Sequence, residues 1–216
     1  MKMHIIVVVC LGLLMFVGPA SGQSTYSLTV GHHRDIELSA GEVDKILAKS
    51  SEIMRKNSCR VTFRRKGSVH AFESSSTPAI IETAADRDAV HKENFDIKVV
   101  KTIKFCRDER DQGIDHAGCA WDPPGAGQPP QHRSIIVVLE QDARLSGLVW
   151  AHEFGHRTGL WHRSEADALM TICPLVLDRV VHQEKVNREE CNCFLGGPGS
   201  CSPPEPPAQC PISLRR

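Results

Sequence analysis

The chain has 216 residues, 41% hydrophobic and 24% charged, with 26 basic residues against 26 acidic ones. That balance gives no electrostatic footprint for nucleic acid or an anionic membrane surface. A single domain with a sizeable core is the expectation.

Residues 1–22 read as a secretory signal peptide. Lys2 supplies a short positive region, Ile5 to Val17 an apolar run, and Pro19-Ala20-Ser21-Gly22 the small residues for cleavage after Gly22 or, second, after Ala20. The apolar run is shorter than the ~20 residues that span a bilayer, so no membrane anchor is expected. Its removal takes Lys2 and Cys10 with it and predicts a secreted protein, extracellular or periplasmic. Of nine cysteines, Cys59, Cys106, Cys119, Cys173, Cys191, Cys193, Cys201 and Cys210 then remain. An even set in a secreted chain reads as a disulfide framework, with about 105 connectivities open on paper. Cys106 with Cys119 is the best local candidate, and Cys201 with Cys210 would close a loop in the tail. The rival reading is a second metal site, which lacks the paired C-x-x-C of zinc ribbons.

In chain order, Tyr26 to Val30 reads as a first strand. Ser39 and Glu42 form a capping box for a helix to about Lys56, with Val43, Ile46, Leu47, Ile53 and Met54 on one face. Cys59 to Arg64 alternates as a half-buried strand. A Ser/Thr/Pro loop covers 73–78 and a short helix 82–93. From Phe95 to Phe105 the odd positions are apolar apart from Lys101, which predicts one long amphipathic strand. Residues 119–133 read as loop, and Ser134 to Leu139 as a central strand covered on both faces. Asp142 then caps a helix with Leu145, Leu148 and Val149 toward the core. Asn187 and Glu190 could cap a last helix to about Phe194. Residues 196–216, rich in proline and glycine, read as an extended tail without a core.

The stretch from His152 to His162 contains H-E-x-x-H and extends it through Gly159 to a third histidine. His152 and His156 are one helical turn apart and project from one face, so both can reach one ion. Glu153 is too far off-axis to be a third ligand, yet placed to hydrogen-bond a water at the metal. Were the helix to continue, His162 would lie about 240° round from His156 and point away. Gly159 can adopt the left-handed conformation that ends a helix, turning His162 back toward the ion. Three neutral imidazoles leave a fourth position open, which is the coordination of a catalytic zinc site with one ion. Chance would produce the full pattern on the order of once in ten thousand such chains, so three histidines without a metal is the weaker reading.

These residues resemble the metzincin zinc peptidases, in which the same signature is followed by a methionine turn. Ala168-Leu169-Met170 is the candidate turn, and with His-Glu-Phe-Gly-His it looks like the matrixin branch. The resemblance implies that Met170 forms an apolar floor below the zinc without ligating it. It implies an α/β (α+β) fold: a twisted mixed sheet with helices behind, and a small C-terminal subdomain below the zinc cleft. The catalytic domain would span residues 23–195, ahead of the 196–216 tail. Departures are plain. Arg163 stands where matrixins usually place serine, no Pro-Arg-Cys-Gly latency peptide is present, and no cysteine follows His162 as in archaemetzincins.

The expected activity is internal peptide-bond hydrolysis by zinc-activated water with Glu153 as general base, acting on a protein or peptide substrate as a monomer. One alternative is a zinc hydrolase of a non-protein amide. Another is a non-catalytic secreted zinc-binding module, which would need no glutamate at 153. His32 and His33 near Asp35, and His116 near Asp115, are weaker candidates for secondary metal binding than for exposed loop histidines. Thr171 to Pro174 would line the pocket for the side chain after the scissile bond.

Overall fold

A computed structural model describes residues 22–106, 115–120, 134–140, 142–163, 165, 167–171, 184–197 and 201. Residues 1–21, the stretch 172–183, Cys210 and the rest of the 196–216 tail apart from 196, 197 and 201 lie outside the described residues.

β1 (Ser24–His32) and β2 (Val61–Ala71) run parallel, connected by α1 (Ala40–Lys56). α1 begins where the sequence says it should. The Ser39 side chain accepts from the Glu42 amide while Glu42 reaches back to the Ser39 amide, satisfying two otherwise orphaned donors. Val43, Ile46, Leu47, Ile53 and Met54 are all buried. Each contributes about 1.5–3 kcal/mol of burial before conformational entropy is subtracted. α2 (Ala84–Lys92) starts on a second capping box, Thr83 with Asp86.

The main sheet has the order β2-β1-β4-β7-β6, with β4 at Ile97–Val100, β7 at Ile135–Val138 and β6 at Gly118–Ala120. Neighbours are parallel except β6, which runs antiparallel to β7. Val30, Ile97, Val99, Ile135 and Val137 face α1 and α3 (Ala143–Thr158) in one core, whereas Val100 and Ile136 join Val90 of α2 in a second. This is the mixed α/β sheet with helices that the fold class predicts.

Two expectations about strands need correcting. The single strand over Phe95–Phe105 breaks at Lys101 into β4 and a short β5 (Thr102–Ile103), which pairs with β3 (Ile80–Ile81) in a separate two-stranded sheet. β4 is buried on both faces, Lys98 included, because a central parallel strand has cover on each side. The Lys98 ammonium donates to the His91 carbonyl and to the Ser134 hydroxyl, and burial pushes its pKa down to about 7. Likewise Cys119 and Ala120 are strand, in β6, rather than loop.

Three disulfides form among the described residues. Cys106–Cys119 forms as expected and ties the end of the β5 segment to β6. Cys59–Cys191 joins positions 132 apart in sequence. Cys201 bonds Cys193 rather than Cys210. The reason is α4 (Arg188–Gly196), capped by Asn187 and Glu190, which carries Cys193 to within 5.5 Å of Cys201 between Cα atoms.

Candidate metal centre

α3 leaves the sheet after β7 and begins at Asp142, whose carboxylate accepts from the Arg144 and Leu145 amides. Its first turns are buried through Leu148, Val149 and Trp150; its later turns carry His152, Glu153 and His156. It ends at Gly159 with φ 103°, the left-handed conformation that the motif calls for. The Leu160 amide returns to the Gly155 carbonyl at 3.1 Å, and the chain reverses.

This reversal brings His162 back. The three Nε2 atoms stand 3.1 Å (His152–His156), 3.1 Å (His156–His162) and 3.3 Å (His152–His162) apart. Three imidazole nitrogens at about 2.0–2.1 Å from one tetrahedral zinc ion would lie about 3.3–3.4 Å apart, so the donor set fits such an ion. The proton positions strengthen the case. His152 Nδ1 lies 2.6 Å from the Leu169 carbonyl and His156 Nδ1 2.8 Å from the Leu160 carbonyl. A carbonyl only accepts, so both Nδ1 atoms carry the proton and both Nε2 atoms present lone pairs to the same point. Converging lone pairs repel one another unless a cation lies between them. Among the described residues this is the one cluster of at least three His, Cys, Asp or Glu able to hold a metal. Among the described residues the second candidates form no cluster of three: His33 Nδ1 accepts from the Asp35 amide and lies 3.7 Å from the Asp35 carboxylate.

The fold is similar to that of an archaemetzincin. The protein concerned, from Methanopyrus kandleri, is 16% identical, with a TM-score of 0.50 over 82% of this chain and 96% of that one. Weaker likenesses are to metalloproteinase-II from Bacteroides fragilis (12% identity, TM-score 0.39, 78% of this chain and 54% of that one) and to a chaperone–substrate complex (11%, 0.41, 69% and 28%). No protein-family model and no curated protein matches the sequence. The likeness at this identity shows the fold alone.

Glu153 is only 6% exposed and lies against β6. A Cβ at Gly118 would come within 2.5 Å of the Glu153 Cγ and Oε1, so the missing side chain is what lets the carboxylate sit there. Met170 is fully buried, and a Cβ at Gly155 would collide with its Sδ, so the motif's own glycine seats the methionine under the helix. The turn holding Met170 also supplies, through Leu169, the carbonyl that orients His152. Arg157 fastens the end of α3 to the sheet. Its guanidinium donates to Asp96 at 2.8 Å, and Asp96 also accepts from the Thr29 amide and hydroxyl. Burial alone would raise the Asp96 carboxyl, but the Thr29 amide, Arg157 and the Thr29 hydroxyl together hold it below the ordinary carboxylate range.

All of the predicted site residues, His152, Glu153, His156, His162 and Met170, therefore gather at one end of α3. Of the expected pocket residues Thr171 is buried, and 172–174 lie outside the described residues. Sequence reasoning missed Gly118, although an isolated glycine in a strand is a recognised sign of close approach. It also missed the Leu160 and Leu169 carbonyls, which as backbone groups leave no trace in side-chain identity. An open groove of about 1240 Å³ between α1 and β2, lined by Leu47, Ser51, Val61 and Phe63 among others, contains none of the motif residues.

Proposed function

We propose that this chain is a secreted zinc-dependent endopeptidase, with His152, His156 and His162 as ligands of one ion and Glu153 as general base. The observation that carries the reading is the convergence of three imidazole Nε2 atoms within 3.3 Å, beside a carboxylate that the Gly118 gap admits. The chemistry that zinc supplies in such a site is Lewis acidity, which brings the pKa of water toward ~7 and polarises a carbonyl.

The remaining steps belong to this chain's residues. The Leu160 and Leu169 carbonyls fix the tautomer and tilt of two ligands, so that little reorganisation accompanies binding. Glu153 removes a proton from the attacking water and passes it to the leaving amine. β6, at the end of the sheet among the described residues, presents its main chain beside Glu153, along which an extended peptide would pair. That geometry favours a protein or peptide substrate over a compact amide. The Ala168-Leu169-Met170 string and His-Glu-Phe-Gly-His support a matrixin-like branch of the metzincin fold. Three disulfides and the 1–22 leader support secretion, and no helix among the described residues is long and apolar enough to cross a membrane.

The test is zinc content and casein cleavage for the chain from residue 23 onward, beside Glu153→Ala. The proposal expects about one zinc in both, internal cleavage by the wild type, and an inert variant. Zinc in both with equal cleavage would remove Glu153 from the mechanism. Absence of zinc from both would remove the metal site.

A further inference from the structure

His152 and His156 lie on α3, whereas His162 sits on the non-helical stretch beyond its end. We propose that α4 is the positioning element for His162, through Arg163–Glu190 at one end and Cys193–Cys201 at the other. This inference rests on the zinc reading above.

Arg163 follows the third histidine directly. Its Nη1 reaches Glu190 Oε2 at 2.9 Å, while Nε and Nη2 face the exposed Glu165. Glu190 is 4% exposed, in the first turn of α4, and its Oε2 also accepts from the Asn187 amide at 2.8 Å. A buried carboxylate makes an uncompensated charge if its partner leaves, so this pair resists separation. The Arg163 amide donates to the Met170 carbonyl at 2.6 Å, which ties the same residue to the methionine turn.

At the other end, Cys193–Cys201 sets the backbone of residue 201 on the turn that redirects the chain. The Cys201 amide donates to the Thr158 carbonyl at 3.0 Å, and the Cys201 carbonyl occupies the space where a Cβ at Gly159 would be. α4 is itself anchored. Cys191 is bonded to Cys59, the Tyr26 hydroxyl donates to the Phe194 carbonyl, and the Phe194 ring stacks on Phe154 of α3 at 6.4 Å. The loop from Gly159 to Arg163 is thus gripped at both ends by one helix fixed to the body of the domain.

The experiment is zinc affinity by competition with a chromophoric chelator, using the chain from residue 23 onward. Arg163→Met, Glu190→Gln and the Cys193→Ala/Cys201→Ala pair are each made in the wild-type and the His162→Ala background, with thermal unfolding of the zinc-free forms alongside. Each should weaken zinc about ten- to a hundredfold in the wild-type background, and by less than about twofold once His162 is gone, because the effect runs through that ligand. Should the cysteine pair fail to fold, Arg163→Met carries the test, and Arg163→Lys should recover part of the affinity. Unchanged affinity, or equal losses in both backgrounds, would overturn the proposal and make α4 a general stabiliser. A wild-type chain that binds no zinc would overturn the metal reading itself, and this inference with it.

Discussion

Gly118→Ala gives a sharp test of where Glu153, the proposed general base, sits. The new Cβ would lie 2.5 Å from Glu153 Cγ and Oε1 and 2.6 Å from its Cδ. Favourable contact begins near ~3.5 Å, so the carboxylate must move by about 1 Å. Because Cγ is among the atoms met, the whole glutamate side chain must rotate, at about 0.5–1.5 kcal/mol of rotamer strain, and the fold should survive. Gly118 is not among the positive-φ glycines, and alanine fits its backbone without strain. A base misplaced by about 1 Å costs about a hundredfold in rate, or about 2.7 kcal/mol of transition-state stabilisation. The assay is kcat and KM on an unstructured peptide, with zinc content and melting temperature measured on the same preparation. Zinc and stability near wild type with kcat down about a hundredfold is the expected result. In the Glu153→Ala background the substitution should change nothing further. Activity within about threefold of wild type, with zinc retained, would refute the placement of Glu153 against β6.

Lys98→Met probes the buried ammonium. Its folded pKa of about 7 lies below the 10.5 of the unfolded chain, so its cost is complete below about pH 7 and disappears as pH rises toward 10.5. The variant's stability relative to wild type should therefore fall by roughly 2–3 kcal/mol between about pH 6 and pH 9 in urea titrations; parallel curves would mean that Lys98 titrates normally. Removing Cys59–Cys191 opens a constraint between residues 132 apart, worth about 5 kcal/mol in the chain-entropy model. The double serine variant should show that loss in its urea midpoint, and a loss below about 1 kcal/mol would contradict it. Gly155→Ala drives a Cβ into Met170 Sδ, an overpacking cost of about 1–3 kcal/mol. Adding Met170→Ala should recover part of the lost melting temperature, and further loss would place the strain elsewhere.

What could be read from the sequence was local. Ser39 with Glu42 and Asn187 with Glu190 start their helices as expected, because a capping box is closed within four residues. His152, His156, Gly159 and His162 could be placed around one point because helix pitch and one left-handed residue set their geometry without help from the rest of the chain. The long strand over Phe95–Phe105 misled because alternation reports one covered face, whereas β4 has two and ends where its partners end. The Cys201–Cys210 expectation failed because nearness in sequence does not decide which thiols meet; α4 does, by carrying Cys193 to the Gly159 turn. By itself, then, the sequence named the three histidines whose rings the structure brings together at the end of α3, and the glutamate that lies between two of them. Only the tertiary structure shows what surrounds those side chains: the Gly118 gap, the Leu160 and Leu169 carbonyls, and the contacts of α4 through Glu190 and Cys193. Those depend on contacts between segments far apart in the chain, and backbone groups and close approaches carry no signature in residue order.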